Sequence, residues 1–153
     1  MASWYNKVKD NLNNVVDAIN YYEKELDDAR WEASIKGNLE KNSREIPGLI
    51  AYRFAQLQET DAILEHLNIV LRTILRKNYR KYLEHYNKLL SSRDAEKFAE
   101  GDEEYVDMEY IVNEFALIRN KYLALIKGLD AKQFQIGHII KLRCSGMEDI
   151  TLT

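Results

Sequence analysis

The chain has one cysteine, one proline and six glycines among 153 residues. A single cysteine excludes an intramolecular disulfide framework and points to a reducing compartment. So few turn residues exclude a many-stranded sandwich or barrel, because each hairpin needs its own turn chemistry. No apolar run approaches the roughly 20 residues of a membrane-spanning helix, and Met1 to Asp10 has no apolar signal-peptide segment. The glycine-rich loops that cradle phosphate, GxxxxGKS/T and GxGxxG, are missing. Only three histidines occur, His66, His85 and His138, and none has a glutamate three residues before it, as a di-metal helical bundle requires. Cys144 has no partner cysteine for a zinc site. No carboxylate pair is isolated in an apolar setting, since Glu103 and Glu104 belong to a long acidic run. The sequence therefore reads as a non-enzyme with no cofactor and no metal.

What is present is helical periodicity. Hydrophobic residues make up 46% of the chain and charged residues 31%, enough apolar material for a core. Val8, Leu12, Val15, Ile19, Tyr22, Leu26 and Ala29 alternate spacings of four and three, the seam of a bundle or coiled-coil helix. Ser3 is placed to cap its start, and an N-terminal amphipathic helix over 3–35, within a segment 1–44, is expected. Residues 37–43 read as a loop, and Pro47-Gly48 as the strongest break, with a second helix beginning at about Leu49. Nothing then stops a helix until about Ser91. Its stripe is Leu64, Leu67, Leu71, Leu75, Tyr79, Tyr82, Tyr86 and Leu89. Some 40 residues at 1.5 Å each give about 60 Å, too long for the centre of a small globule. Residues 92–104 read as an acidic connection. Met108, Ile111, Phe115, Ile118, Tyr122, Leu125 and Leu129 mark the next helix, over 104–128. Asp130 followed by Gln133 resembles a capping box that opens a short final helix, and 144–153 reads as a flexible tail. The expected fold is all-α: a long antiparallel helical hairpin with an extra N-terminal helix and a short C-terminal helix. Long narrow seams leave apolar surface uncovered, so the protomer is expected to be oligomeric.

Charge is segregated. Residues 72–93 carry seven basic groups and one acidic group, and residues 94–114 carry one basic and nine acidic. The overall net charge is only −3. Arg72, Arg76 and Arg80 are four apart and share one helical face, and Lys77 and Lys81 repeat the spacing one position on. Lys88 extends the basic run. Like charges at this spacing repel by a few tenths of a kcal/mol per pair in an isolated helix. Such a row needs acidic neighbours or an anionic ligand, and the phosphates of single-stranded nucleic acid suit it. Interleaved Tyr79, Tyr82 and Tyr86 continue the apolar stripe, which favours core packing for them over base stacking. One protomer with about six such cations binds weakly at physiological salt, because few counterions are released. Several protomers along one strand add avidity.

The C-terminal stretch LALIKGLDAKQFQIGHIIKLR, Leu123 to Arg143, resembles the end of UvsY-type recombination mediators of large tailed phages. The pattern falls on Leu123, Ile126, Lys127, Phe134, Ile136, His138, Ile139 and Arg143. YRKYLEHY, Tyr79 to Tyr86, is similar to that family's basic-then-aromatic helix, and I-P-x-L at Ile46 to Leu49 is similar to its start. The resemblance spans roughly residues 46–143 and marks 45–143 as a mediator-like helical domain. It implies a ring of helical protomers in the cytoplasm of an infected bacterial host, acting in recombination, repair and replication. The ring would bind single-stranded DNA and help load a RecA-like recombinase onto strands coated by single-strand-binding protein. The family's basic positions map onto Arg80, Lys77 and Lys81, but a second family basic position falls on Tyr82 here. Taken with the basic row read from the helical spacing, the expected nucleic-acid site is Arg72, Arg76, Lys77, Arg80, Lys81 and Lys88. The implied assembly surface is Phe134, Ile136, Ile139, Ile140 and Leu142. The alternative is a coiled-coil scaffold or virion interaction protein in which the basic and acidic stretches simply neutralise each other.

Overall fold

A computed structural model describes residues 3–86 and 88–147. The described residues form an all-helical protein. The helices are α1 (Trp4–Asp10), α2 (Val15–Asp28), α3 (Leu39–Glu84), α4 (Ser92–Glu100) and α5 (Glu103–Cys144), with a 3-10 turn at Leu12–Asn14. Helix α3 packs against α5 in a hairpin-like arrangement. The chain forms two compact units, Met1–Ile19 with Glu59–Arg119, and Asn20–Gln58 with Asn120–Thr153. Each unit takes chain from both sides of residue 44.

In the first unit, Asp61 of α3 meets Arg119 of α5 at 2.7 Å, and Lys77 meets Glu104 at 3.6 Å. Those two pairs show the two helices running antiparallel. Its core holds Val8, Val15, Ile19, Ile63, Leu67, Met108, Val112, Phe115 and Ile118, all buried. All but Ile63 and Val112 are seam positions of the sequence; those two are each one residue from the seam positions Leu64 and Ile111, which are only half-buried. The backbone N–H of Tyr5 donates to Glu59, fastening α1 to α3.

In the second unit, Tyr22, Ala29, Ile46, Leu57, Tyr122, Leu129 and Ile136 are buried. Tyr22 and Tyr122 meet edge to face at 5.9 Å between centroids, a geometry favoured by the ring quadrupoles. A Cβ on Gly128 would lie 3.1 Å from the Ala33 methyl, so glycine serves a close approach there. Around Arg53, whose side chain is 6% exposed, a polar lock closes the unit. Arg53 grips Glu32 through Nε and Nη2 at 2.9 and 2.6 Å, and donates to Glu25 and Gln56 through Nη1 at 2.9 and 2.8 Å. Gln56 in turn donates to Glu25 at 2.8 Å. The Gln56 bond leads in holding the Glu25 carboxyl below its ordinary range; burial opposes this, and Arg53 reinforces it. Lys132 Nζ donates to the Glu32 carbonyl at 2.8 Å, tying α5 to the same point.

Several sequence expectations need correction. The expected N-terminal helix 3–35 is broken at Asn11, whose backbone is extended. The Asn11 side chain accepts from the Asn13 N–H, and Asn14 donates to the Lys7 carbonyl at 2.8 Å. Asparagine amides compete for backbone partners and so interrupt helices that an apolar seam alone would extend. Helix α3 starts eight residues before Pro47, not after it. Asn38 accepts the Lys41 N–H at its start, Arg44 pairs with Glu40 four residues back, and Ile46 is buried. Pro47 lies inside the helix, where it has no N–H to give the Ser43 carbonyl, and the helix continues through it. Helix α3 also ends at Glu84, so Tyr86 and Leu89 leave the stripe and are exposed.

Residues 92–104 are not a bare connection. Ser91 caps α4 by accepting the Asp94 N–H, and Ala95 and Ala99 are buried. Two alanines are too weak an apolar signal to reveal a helix in so polar a segment. The short C-terminal helix is also absent as a separate element. Helix α5 runs unbroken through Asp130 because Leu129, Lys132 and Ile136 are buried on one side of it. Of the expected tail, 144–147 closes the end of α5, with Gly146 at φ +69° and the Met147 N–H donating to the Leu142 carbonyl. This is the closure that glycine permits at a helix C-terminus. The rest of that expected tail, 148–153, lies outside the described residues.

Candidate nucleic-acid interface

The basic stretch divides into two parts that the sequence shows as one. Lys77 and Lys81 sit opposite the acidic stretch. Lys77 pairs with Glu104 at 3.6 Å and Lys81 with Asp102 at 3.5 Å. The Tyr82 hydroxyl donates to the same Asp102 at 3.0 Å. Burial pushes the Asp102 carboxyl up, but Tyr82, the Glu104 N–H and Lys81 together outweigh that and hold it below its ordinary value. The reciprocal bond is the main cause raising the Tyr82 phenol. Both lysines are well exposed, so these pairs orient α3 against the start of α5 more than they stabilise it.

Arg76 and Arg80 are on a different side. With Arg93 from α4 they line an open groove of about 600 Å³. Leu75, Tyr79 and Leu83 supply its apolar wall, and Ser92, Glu84 and Glu96 complete it. The position of the arginines follows from the fold: the i, i+4 spacing on α3 puts Arg76 and Arg80 on one edge, and the Ser91 cap starts α4 so that Arg93 reaches the same space. Among the described residues, no carboxylate lies within ion-pair distance of Arg76, Arg80 or Arg93. Arg76 and Arg80 are exposed. Three guanidinium groups beside two carboxylates leave the groove cationic, and each guanidinium presents a planar fork that matches a phosphate.

The other expected site residues are apart from this groove. Arg72 is exposed and meets Glu65 loosely at 3.7 Å. Lys88 is exposed, beyond the end of α3. Arg93 belongs to the groove, although the helical-face argument did not include it. It counts in the positive block 72–93, but only the turn between α3 and α4 could have placed it. Of the expected assembly residues, Phe134, Ile140 and Leu142 are exposed, Phe134 at 65%, and Ile139 is half-buried. Ile136 is corrected: at 3% exposure it belongs to the core of its own unit and is withdrawn from any assembly surface. Phe134 carries His138 against its ring at 4.4 Å between centroids.

No family model, no curated protein and no solved structure matches this chain. Among the described residues no group of three or more His, Cys, Asp or Glu side chains is placed to hold a metal ion. No helix among them is long and apolar enough to cross a membrane.

Proposed function

We propose that the protein is a non-enzymatic recombination mediator. It binds single-stranded DNA as a homo-oligomer and promotes loading of a RecA-like recombinase onto strands coated by single-strand-binding protein. The observation that carries the DNA-binding part is the groove lined by Arg76, Arg80 and Arg93, none of which has a carboxylate within ion-pair distance among the described residues although Glu84 and Glu96 share the groove. The recombinase and single-strand-binding-protein partners rest on the sequence resemblance of residues 46–143. Exposed Phe134, Ile140 and Leu142 on the last turns of α5 support assembly, with repeated arginine grooves sharing one strand. Setting and host follow the same resemblance: recombination and repair in a phage-infected bacterium.

A helical scaffold without nucleic-acid binding is the second reading. The Lys77–Glu104 and Lys81–Asp102 pairs favour it, because they neutralise part of the basic stretch within the protomer. The two differ in salt dependence. If three arginines per protomer meet phosphates, log K for a labelled single-stranded oligonucleotide falls against log salt with a slope of about −2 per protomer engaged. Fluorescence anisotropy across roughly 50 to 200 mM salt measures it. Absence of binding at the low-salt end would favour the scaffold.

A further inference from the structure

We propose that copies of the chain assemble by docking the Phe134 face of α5 in one copy onto the Tyr110 and Leu117 face of α5 in another. This rests on the homo-oligomer proposed above and assigns the surface that receives Phe134. In the first unit, α5 buries Met108, Val112, Phe115 and Ile118. With 3.6 residues per turn, Val106, Tyr110, Asn113 and Leu117 fall on the opposite side, at spacings of four, three and four. That side is open: Tyr110 is 69% exposed and Leu117 55%. The carboxylates around it, Glu103, Asp107, Glu109 and Glu114, are exposed. Among the described residues none of the four has a cation within ion-pair distance.

In the second unit, α5 buries Leu129, Lys132 and Ile136. Lys127, Ala131, Phe134, His138 and Lys141 fall on the opposite side, at spacings of four, three, four and three, and all five are exposed. Phe134 stands between two lysines, each seven residues away. Among the described residues neither lysine has a carboxylate within ion-pair distance.

The two faces match in pattern and oppose in charge. Both alternate spacings of four and three, the pattern on which helices pack side by side. From Glu103 to Leu117 the helix carries five acidic groups and no basic one. From Asn120 to Cys144 it carries five basic groups and one acidic. Each face therefore repels its own kind and attracts the other, the way flanking charges choose partners where helices associate. Carboxylates around Tyr110 also turn away a polyanion, whereas a second copy offers an apolar ring set between two ammonium groups. Every copy carries both faces, so the contact repeats from copy to copy.

The test is sedimentation velocity on the full-length chain over a concentration series, with two variants changed only at exposed positions and checked for native helicity by circular dichroism. Lys127→Glu with Lys141→Glu makes both faces acidic. Asp107→Lys with Glu109→Lys and Glu114→Lys makes both faces basic. The wild-type chain is expected to sediment as a homo-oligomer, and each variant alone to need about tenfold more protein or greater to assemble. An equimolar mixture of the two variants is expected to regain assembly, because every face then meets an opposite charge. A wild-type oligomer that both folded variants retain would overturn the docking while leaving the homo-oligomer intact. Variants that dissociate but do not reassociate on mixing would overturn the pairing of these two faces. A wild-type chain that stays monomeric throughout would overturn the docking together with the oligomer on which it rests.

Discussion

Replacing Arg76 and Arg80 together by glutamate is expected to weaken single-strand binding by about a hundredfold or more. A charge-assisted hydrogen bond contributes about 1.5–3 kcal/mol, so losing two removes roughly 3–6 kcal/mol before added repulsion. The salt slope should become shallower by about 1.4, the contribution of two phosphate contacts on a single strand. Both side chains are exposed and have no ion-pair partner among the described residues, so the fold itself should be unaffected. The equivalent change at Lys77 and Lys81 should cost binding much less, because Glu104 and Asp102 already occupy those ammonium groups. It should instead loosen α3 from the start of α5. Anisotropy titrations of both double variants check the contrast. Equal losses in the two would show that the arginine groove is not the phosphate site.

Replacing Arg53 by leucine is expected to destabilise the fold by about 3 kcal/mol, the lower end for breaking a buried ion pair. The lower end applies because the Glu25 and Glu32 side chains are each about a fifth exposed, and solvent partly rescues the carboxylates left behind. The variant leaves two carboxylates and the Gln56 carbonyl without their shared donor. For a chain of this length each kcal/mol moves the midpoint by about 2–4 °C, so thermal melts at fixed concentration should shift by roughly 6–12 °C. Loss of less than about 2 °C would mean that the lock contributes little net stability, as buried ion pairs sometimes do.

Heptad spacing made the long seams of α3 and α5 legible, because burial of one helical stripe follows directly from where apolar residues recur. Leu67, Met108, Phe115, Ile118, Tyr122 and Leu129 are buried as that spacing requires. Helix ends were less legible, since they depend on single side chains meeting backbone groups. Asn11 breaks a seam that apolar spacing would have continued, and Asn38 starts a helix ahead of a proline that reads as a stop. Asp130 and Gln133 have the pattern of a cap but lie inside α5, where tertiary burial of Lys132 and Ile136 overrides it. The arginine row was visible as a charge block on one helical face. Its division into lysines facing acid and arginines facing the groove was not, because the partners Asp102 and Glu104 come from another element. Arg53 was missed for the same reason: it is a lone cation in an acidic stretch of sequence, and its carboxylate partners are more than 20 residues away.

The central claim is that an oligomer carries many copies of the Arg76, Arg80 and Arg93 groove and uses them together on one strand. Native mass measurement with and without a single-stranded oligonucleotide tests both parts at once. The expected result is a defined homo-oligomer that gains the mass of one strand in low salt and releases it as salt rises. A monomer of 18.0 kDa that gains no mass at any salt concentration would contradict it.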